Sequence, residues 1–111
     1  MSHFKVSYLE EALEFLKSLE KKTRDKVLFN AQKASATNDP KLFKKLDEEI
    51  WEFRTNYNGL QIRLLAFWDK TDKKQTLVIA TYGFVKKKDK VDRSEINKAE
   101  QIRKQYFKDS T

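Results

Sequence analysis

The chain of 111 residues has no cysteine, one histidine, one proline, one methionine and two glycines. Without cysteine there is no disulfide framework and no thiolate chemistry, which suits a reducing cytosol. With His3 as the only imidazole, a two-histidine ribonuclease mechanism is excluded. A transition-metal site built on cysteine or histidine has no ligands to draw on. No apolar run approaches the roughly 18 residues that a membrane span needs. Met1 to Tyr8 runs straight into a charged helical pattern, with nothing resembling a signal peptide. The expectation is one cytoplasmic domain over residues 1–111, with no cofactor, no metal and no membrane partner.

What the chain has is charge and aromatic mass. Charged residues make up 37%, aromatics 13% and hydrophobics 39%, enough for a two-layer core at this length but leaving little apolar mass for the surface. The net charge of +7 is unevenly placed: residues 1–40 carry 7 basic and 6 acidic side chains, and residues 41–111 carry 17 and 11. The basic surface belongs to the second part, and it favours a polyanionic partner.

Hydrophobic spacing divides the chain. Phe4, Val6 and Tyr8 alternate as a strand. Leu9, Ala12, Leu13, Leu16 and Leu19 then recur at helical spacing, with Ser7 in place as a cap. Thr23 is placed to cap a second helix with Val27, Leu28, Ala31 and Ala34 on one face, and Asn38-Asp39-Pro40 ends it. Lys41 to Leu46 reads as one more helical turn. Ile50 to Tyr57, Leu60 to Asp69 and Gln75 to Phe84 read as strands, the first two joined by the hairpin signal Asn58-Gly59. A final helix runs from Arg93 to Lys108, with Ile96, Ala99, Ile102 and Tyr106 on one side. The predicted fold class is α+β: an N-terminal strand and helical hairpin packed on an antiparallel β-meander, with a C-terminal helix, the helices sharing one apolar face of the sheet.

Strand alternation puts Glu52, Arg54 and Asn56 on one face and Trp51 and Phe53 on the other. In the next strand Gln61 and Arg63 share a face with Leu65 and Phe67. An arginine inside a sheet is costly unless something anionic or hydrogen-bonding meets it. Arg54 and Arg63 are therefore expected on an open or concave face, close enough to grip one anion, beside the run Lys86-Lys87-Lys88.

The ordered set Trp51-Glu52-Phe53-Arg54, Tyr57, Gly59, Arg63, Gly83-Phe84-Val85-Lys86-Lys87, Glu95-Ile96 and Ala99 resembles the phage Gp49-like (HigB-type) branch of the RelE/ParE toxin superfamily. The resemblance covers nearly the whole chain as a single RelE/HigB-like domain. It implies the toxin of a type II toxin-antitoxin module, acting as a ribosome-dependent mRNA endoribonuclease, with a cognate antitoxin, mRNA and the ribosome as partners. Within the superfamily the other implied activity is inhibition of DNA gyrase, and an inactive homologue that only binds its antitoxin is a third reading. Arg54 and Arg63 match basic positions that contact the scissile phosphate, and Lys86 and Lys87 match the basic pair after the last strand. The chain departs from the pattern at Tyr82, where many members carry histidine, and at Lys90-Val91-Asp92.

Cleavage of RNA by its own 2′-hydroxyl requires that hydroxyl deprotonated, the in-line phosphorane stabilised and the leaving 5′-oxygen protonated. Guanidinium forks suit the phosphorane. The proton carriers stay open among Lys86 or Lys87, whose crowding by like charge favours a lowered pKa, Tyr82 as donor or relay, and Glu52 as base. Lys88 and Lys90 are candidates for RNA binding. Plainer readings stand beside these: Lys86 to Lys90 as a solvated charge run, and Glu52 as a salt-bridge partner of either arginine. Trp51, Phe53, Phe67 and Trp68 read as core rather than stacking platforms, Asp47-Glu48-Glu49 as a solvated turn, and Tyr106 and Phe107 as packing for the last helix.

Overall fold

A computed structural model describes residues 3–109. Eight elements follow one another: β1 (Lys5–Tyr8), α1 (Glu10–Ser18), α2 (Lys21–Thr37), β2 (Phe43–Lys45), β3 (Trp51–Tyr57), β4 (Leu60–Asp69), β5 (Leu77–Val85) and α3 (Arg93–Asp109). The strands form one sheet in the order β1-β5-β4-β3-β2. The meander is antiparallel, as expected, and β1 joins its edge parallel to β5. Asn58 and Gly59 both take positive φ, 53° and 79°, the type I′ geometry whose twist matches the flanking strands.

Local chemistry explains the helix ends and two departures from the sequence pattern. Asn38 adopts the left-handed conformation at the end of α2 and donates its N–H to the Ala34 carbonyl, with Pro40 barring continuation. Leu9 and Glu20 hold the two N-cap positions without a side-chain hydrogen bond. Ser7 instead lies in β1, and Thr23 is buried inside the first turn of α2. The expected helical turn at Lys41–Leu46 is β2, because Phe43 finds a sheet partner in Phe53 and stacks on its ring at 4.5 Å. Local propensity over so few residues yields to that packing.

Helices cover both faces of the sheet, not one. Beneath α1 and α2 lies a core of Phe4, Leu16, Val27, Ala31, Phe43, Phe53, Ile62, Leu64 and Val78, with Trp51 and Trp68 half-buried at its rim. Gly83 lets α1 come close: a Cβ there would stand 2.3 Å from the Phe15 ring and 2.6 Å from Leu64. On the opposite face α3 packs a second core, with Ala99, Ile102, Tyr106 and Phe107 over Ile50, Leu65, Phe67, Ile79 and Tyr82. The sequence reading underestimated this face because Leu65 and Phe67 share it with Arg63, mixing apolar and charged positions in one strand. Nor is Asp47–Glu49 merely a solvated turn: Asp47 pairs with Arg93 at 2.6 Å and Glu49 with Arg103 at 3.4 Å, tying the loop to α3.

A bulge decides which side chains reach this second face. Leu65 pairs with Tyr82, but Ala66 pairs with Ala80, so Thr81 is an extra residue in β5. Its hydroxyl donates to the Leu65 carbonyl at 2.8 Å. The extra residue shifts the alternation by one, so Ile79, Tyr82 and Phe84 all belong to the α3 side while Gly83 turns toward α1.

Candidate functional site

The α3 core covers only part of its face. Toward the β3–β4 hairpin the same face continues as cross-strand rows: Glu52–Leu65–Tyr82, then Arg54–Arg63–Phe84, then Asn56–Gln61 with Lys86, whose N–H donates to the Gln61 carbonyl at 2.7 Å. Two arginines thus stand directly opposite one another, an arrangement that is repulsive unless neutralised.

Glu52 supplies the neutralising charge. Its carboxylate lies 3.4 Å from Arg63 Nε and 3.7 Å from Arg54 Nε, and these atoms make ion pairs without hydrogen bonds. Arg63 Nη1 donates to the Ile62 carbonyl at 2.9 Å and to Asn56 Oδ1 at 3.1 Å, and Nη2 reaches Gln61 Oε1 at 3.5 Å. Burial pushes the Arg63 guanidinium down from its ordinary pKa, Glu52 holds it up, and Arg54 again lowers it. The ordinary value is so high that the group remains cationic at neutral pH.

The expected open pair of arginines is therefore unequal. The Arg63 side chain is only 1% exposed whereas that of Arg54 is 31% exposed. Arg63 is buried because Glu52 and the side chains of Asn56 and Gln61 meet its fork from the same face. Glu52, at 4% exposure, is the salt-bridge partner of both arginines.

Tyr82 belongs to the buried row. Its hydroxyl lies 2.8 Å from the Glu95 carbonyl and 2.9 Å from Glu95 Oε1. Burial and the neighbouring Glu95 carboxylate raise its pKa far above that of an ordinary phenol. Lys98 sits 4.2 Å over the ring and pairs with Glu11 at 3.2 Å, so Tyr82 ties β5, α1 and α3 together. Beyond Phe84, a cleft of about 200 Å³ is lined by Lys86, Lys87, Lys88 and Lys90 with Val91, Asp92 and Glu95. Lys86 is half-buried and Lys87, Lys88 and Lys90 are exposed, Lys88 pairing with Asp92 at 3.2 Å. A larger hollow of about 470 Å³, lined by His3, Lys5, Lys73 and Thr76, lies at the far end of β5.

The fold thus brings Glu52, Arg54, Arg63, Lys86 and the cleft lysines onto one end of one face, and holds the Tyr82 hydroxyl apart beneath α3. Sequence reasoning missed Phe84, which continues the arginine row, because the bulge at Thr81 hides its parity. It also missed Asn56 and Gln61 as acceptors for Arg63, although their alternation with Arg54 and Arg63 was visible. Among the described residues no three His, Asp or Glu side chains converge as a metal site requires, and no helix is long and apolar enough to cross a membrane.

The α+β domain carries a buried arginine-glutamate cluster on one face of its sheet and a lysine-lined cleft beyond Phe84, so that one end of that face is basic. The family model for phage-derived Gp49-like proteins (DUF891) matches residues 14–104. The chain belongs to that family, a family of RelE/HigB-like toxins, for which an antitoxin is the natural partner. A search among curated proteins finds no match.

Proposed function

We propose that the protein is the toxin of a type II toxin-antitoxin module, a cytoplasmic, ribosome-dependent mRNA endoribonuclease. The observation that carries this reading is the Arg54–Arg63–Phe84 row at the margin of the α3 core, where the Arg54 guanidinium stays partly exposed and Phe84 leads into the lysine cleft. Arg54, the more exposed guanidinium, meets the scissile phosphate, and Arg63 beneath it supplies fixed positive charge. Such charge favours the phosphorane over the ground state because it is oriented before the reaction begins.

In the reaction the 2′-oxygen attacks phosphorus in line and gives up its proton. The bond from phosphorus to the 5′-oxygen breaks and that oxygen gains a proton, leaving a 2′,3′-cyclic phosphate and a 5′-hydroxyl. No metal takes part. Lys86 and Lys87 are the titratable groups at the open end of the face and carry the proton transfers, while Lys88 and Lys90 hold flanking phosphates. Glu52, engaged by two arginines, and Tyr82, engaged by Glu95, are held in structural contacts.

One observation favours a second reading, a toxin that binds without cutting, with DNA gyrase as its target. The side chain standing where many relatives have histidine is a buried tyrosine whose hydroxyl already serves Glu95. Primer extension on a reporter mRNA in a purified translation system, with and without ribosomes, separates the two. Cuts that require ribosomes and fall at least 100-fold in Arg54→Ala are expected, in the range that one lost oxyanion donor produces. No cuts in any reaction, together with inhibited supercoiling by purified gyrase, overturns the nuclease reading.

A further inference from the structure

The two tryptophans of the chain, Trp51 and Trp68, stand at a place that the nuclease reading does not use. The sequence reads both as core, yet the fold buries each only halfway, at the rim of the core under α1 and α2. Their rings meet edge to face at 5.6 Å. Phe43 stacks on Trp51 at 4.8 Å. Trp68 has no parallel partner of this kind among the described residues: Phe4, Phe43 and Trp51 stand at 75°, 61° and 80° to it. The group over its ring is instead the Lys70 ammonium, at 5.3 Å.

Both rings line a hollow of about 520 Å³ whose other walls are Lys45, Lys70, Glu48 and Glu49, all exposed. The volume falls in the range of small-ligand sites, roughly 300 to 1,000 Å³. Lys45 stands directly across from Trp51 in the β2–β3 pair. Glu49 is engaged by Arg103 at 3.4 Å, which offsets one of the two carboxylates at the rim and leaves Glu48 as the nearer acceptor. An aromatic face, two ammonium groups and a carboxylate thus meet around one concavity. Trp51 lies three residues before Arg54 and on the opposite face of β3, so about 10 Å of strand and the sheet itself separate this hollow from the arginines.

We propose that this hollow is a second binding site, which takes a single guanine nucleotide, either free or as an unpaired base of RNA. The base stacks on the Trp68 ring and displaces the Lys70 ammonium from it, an exchange that any planar base can make. Glu48 supplies the choice among bases. A carboxylate only accepts hydrogen bonds, and guanine alone presents two adjacent donors, N1–H and N2–H, on its pairing edge. Adenine, cytosine and uracil set an acceptor beside each donor, which a carboxylate repels. The phosphate meets Lys45 and the displaced Lys70. A quaternary ammonium ion would suit the rings and the carboxylates, but the two lysines oppose a second cation. The proposal rests on no part of the nuclease reading.

The chain has only two indole N–H groups and both belong to this hollow, so their resonances in the isotope-labelled protein report on it directly. The probes are guanosine monophosphate, adenosine monophosphate, uridine monophosphate and guanosine. Guanosine monophosphate is expected to shift both indole signals, and each of the other three to bind about tenfold more weakly, the loss that one charge-assisted contact produces. Glu48→Gln should erase the preference for guanine over adenine, and Lys70→Ala should lower the affinity for the nucleotide toward that of guanosine. Both side chains are exposed, so neither variant disturbs the core. The pentanucleotide U-U-G-U-U separates the two sources: shifts equal to those of the mononucleotide support an RNA base as the guest, and their absence beside a bound mononucleotide supports a free nucleotide. Equal binding of uridine monophosphate overturns the proposal, as do shifts confined to Arg54 and Lys86–Lys90. Indole shifts with tetramethylammonium but not with guanosine monophosphate overturn it in favour of a cation cage. Loss of cutting in the primer-extension assay with these shifts intact removes the nuclease reading alone.

Discussion

Both faces of the sheet bury an aromatic and aliphatic core, the larger one under α1 and α2, but by different means. Under α1 and α2 the strands present mostly hydrocarbon, with Thr55 accepting a buried hydrogen bond from Asn30 at 3.1 Å, and Phe43 stacks between Trp51 at 4.8 Å and Phe53 at 4.5 Å. Under α3 hydrocarbon and charge are mixed: buried Glu52 shares a row with Leu65 and Tyr82, and the next row sets Arg54 and Arg63, both paired with it, beside Phe84. The first face depends chiefly on volume and shape. The second depends on the particular pairing of three charges, since a buried charge without its partner is strongly destabilising. Both faces serve stability, and the second also holds two guanidinium groups beside its core.

The most forceful way to break this contrast is Arg63→Ala. It leaves Glu52 buried with only Arg54 nearby, and urea denaturation should show a loss of about 3 to 5 kcal/mol. The double variant Glu52→Leu with Arg63→Met removes the charges together while retaining volume. It should recover most of that loss yet remain unable to inhibit growth. A double variant as unstable as Arg63→Ala would mean that the cluster acts through shape rather than charge.

On the hydrocarbon face, Gly83→Ala should cost about 1 to 3 kcal/mol by overpacking, because the new methyl meets the Phe15 ring and Leu64. Thermal melting measures it, and adding Phe15→Leu should return part of the loss. An unchanged melting temperature would show that α1 lies farther from the sheet.

Alkaline pH tests both faces together. Burial raises Tyr8 to about 12, and burial with its hydrogen bond to Asp69 raises Tyr106 to about 12; Tyr82 is raised further. Unfolded tyrosines ionise near 10, so unfolding releases protons between about pH 10 and 12. Their contribution to stability is whole below pH 10 and is lost as pH rises through the folded values. The urea midpoint should fall steadily over that range, and absorbance at 295 nm should show phenolate appearing together with unfolding. Full phenolate absorbance in a still-folded protein near pH 10 would contradict the burial of these rings.

The smallest effect on stability belongs to Lys88→Ala. Its pair with Asp92 is exposed on both sides, so the change in unfolding free energy should stay within about 0.5 kcal/mol. Affinity for RNA should nevertheless drop, with the salt dependence shallower by about one ion. An unchanged salt slope would take Lys88 out of the RNA-contacting set.

The elements were legible where a short-range signal is strong. Asn58-Gly59 specifies its hairpin because both residues tolerate positive φ, and Asn38-Asp39-Pro40 stops α2 for equally local reasons. The final helix was placed within one residue of its observed end. Phe43–Lys45 was misread because a strand of three residues carries almost no period, and its stability comes from Phe53 and Trp51 across the sheet. Of the candidate site, the common face of Glu52, Arg54 and Arg63 was readable from alternation. That Arg63 is buried and Arg54 half-open was not, because neighbouring strands and the Asn56 and Gln61 side chains set that difference.

By itself, then, the sequence determined the order of the elements apart from β2, the hairpin, the basic second part and the placing of two arginines and a glutamate on one face. These depend on spacing and residue type within a few positions, where φ preference and alternation act directly. Tertiary structure alone decided that α3 lies on the arginine side, that the bulge at Thr81 brings Tyr82 and Phe84 to that side, that the Tyr82 hydroxyl is held by Glu95, and that Trp51 and Trp68 stay half-buried beside Lys45 and Lys70. Each of these depends on which distant segment arrives to cover which surface, and burial is a property of the assembled layers rather than of any stretch of chain.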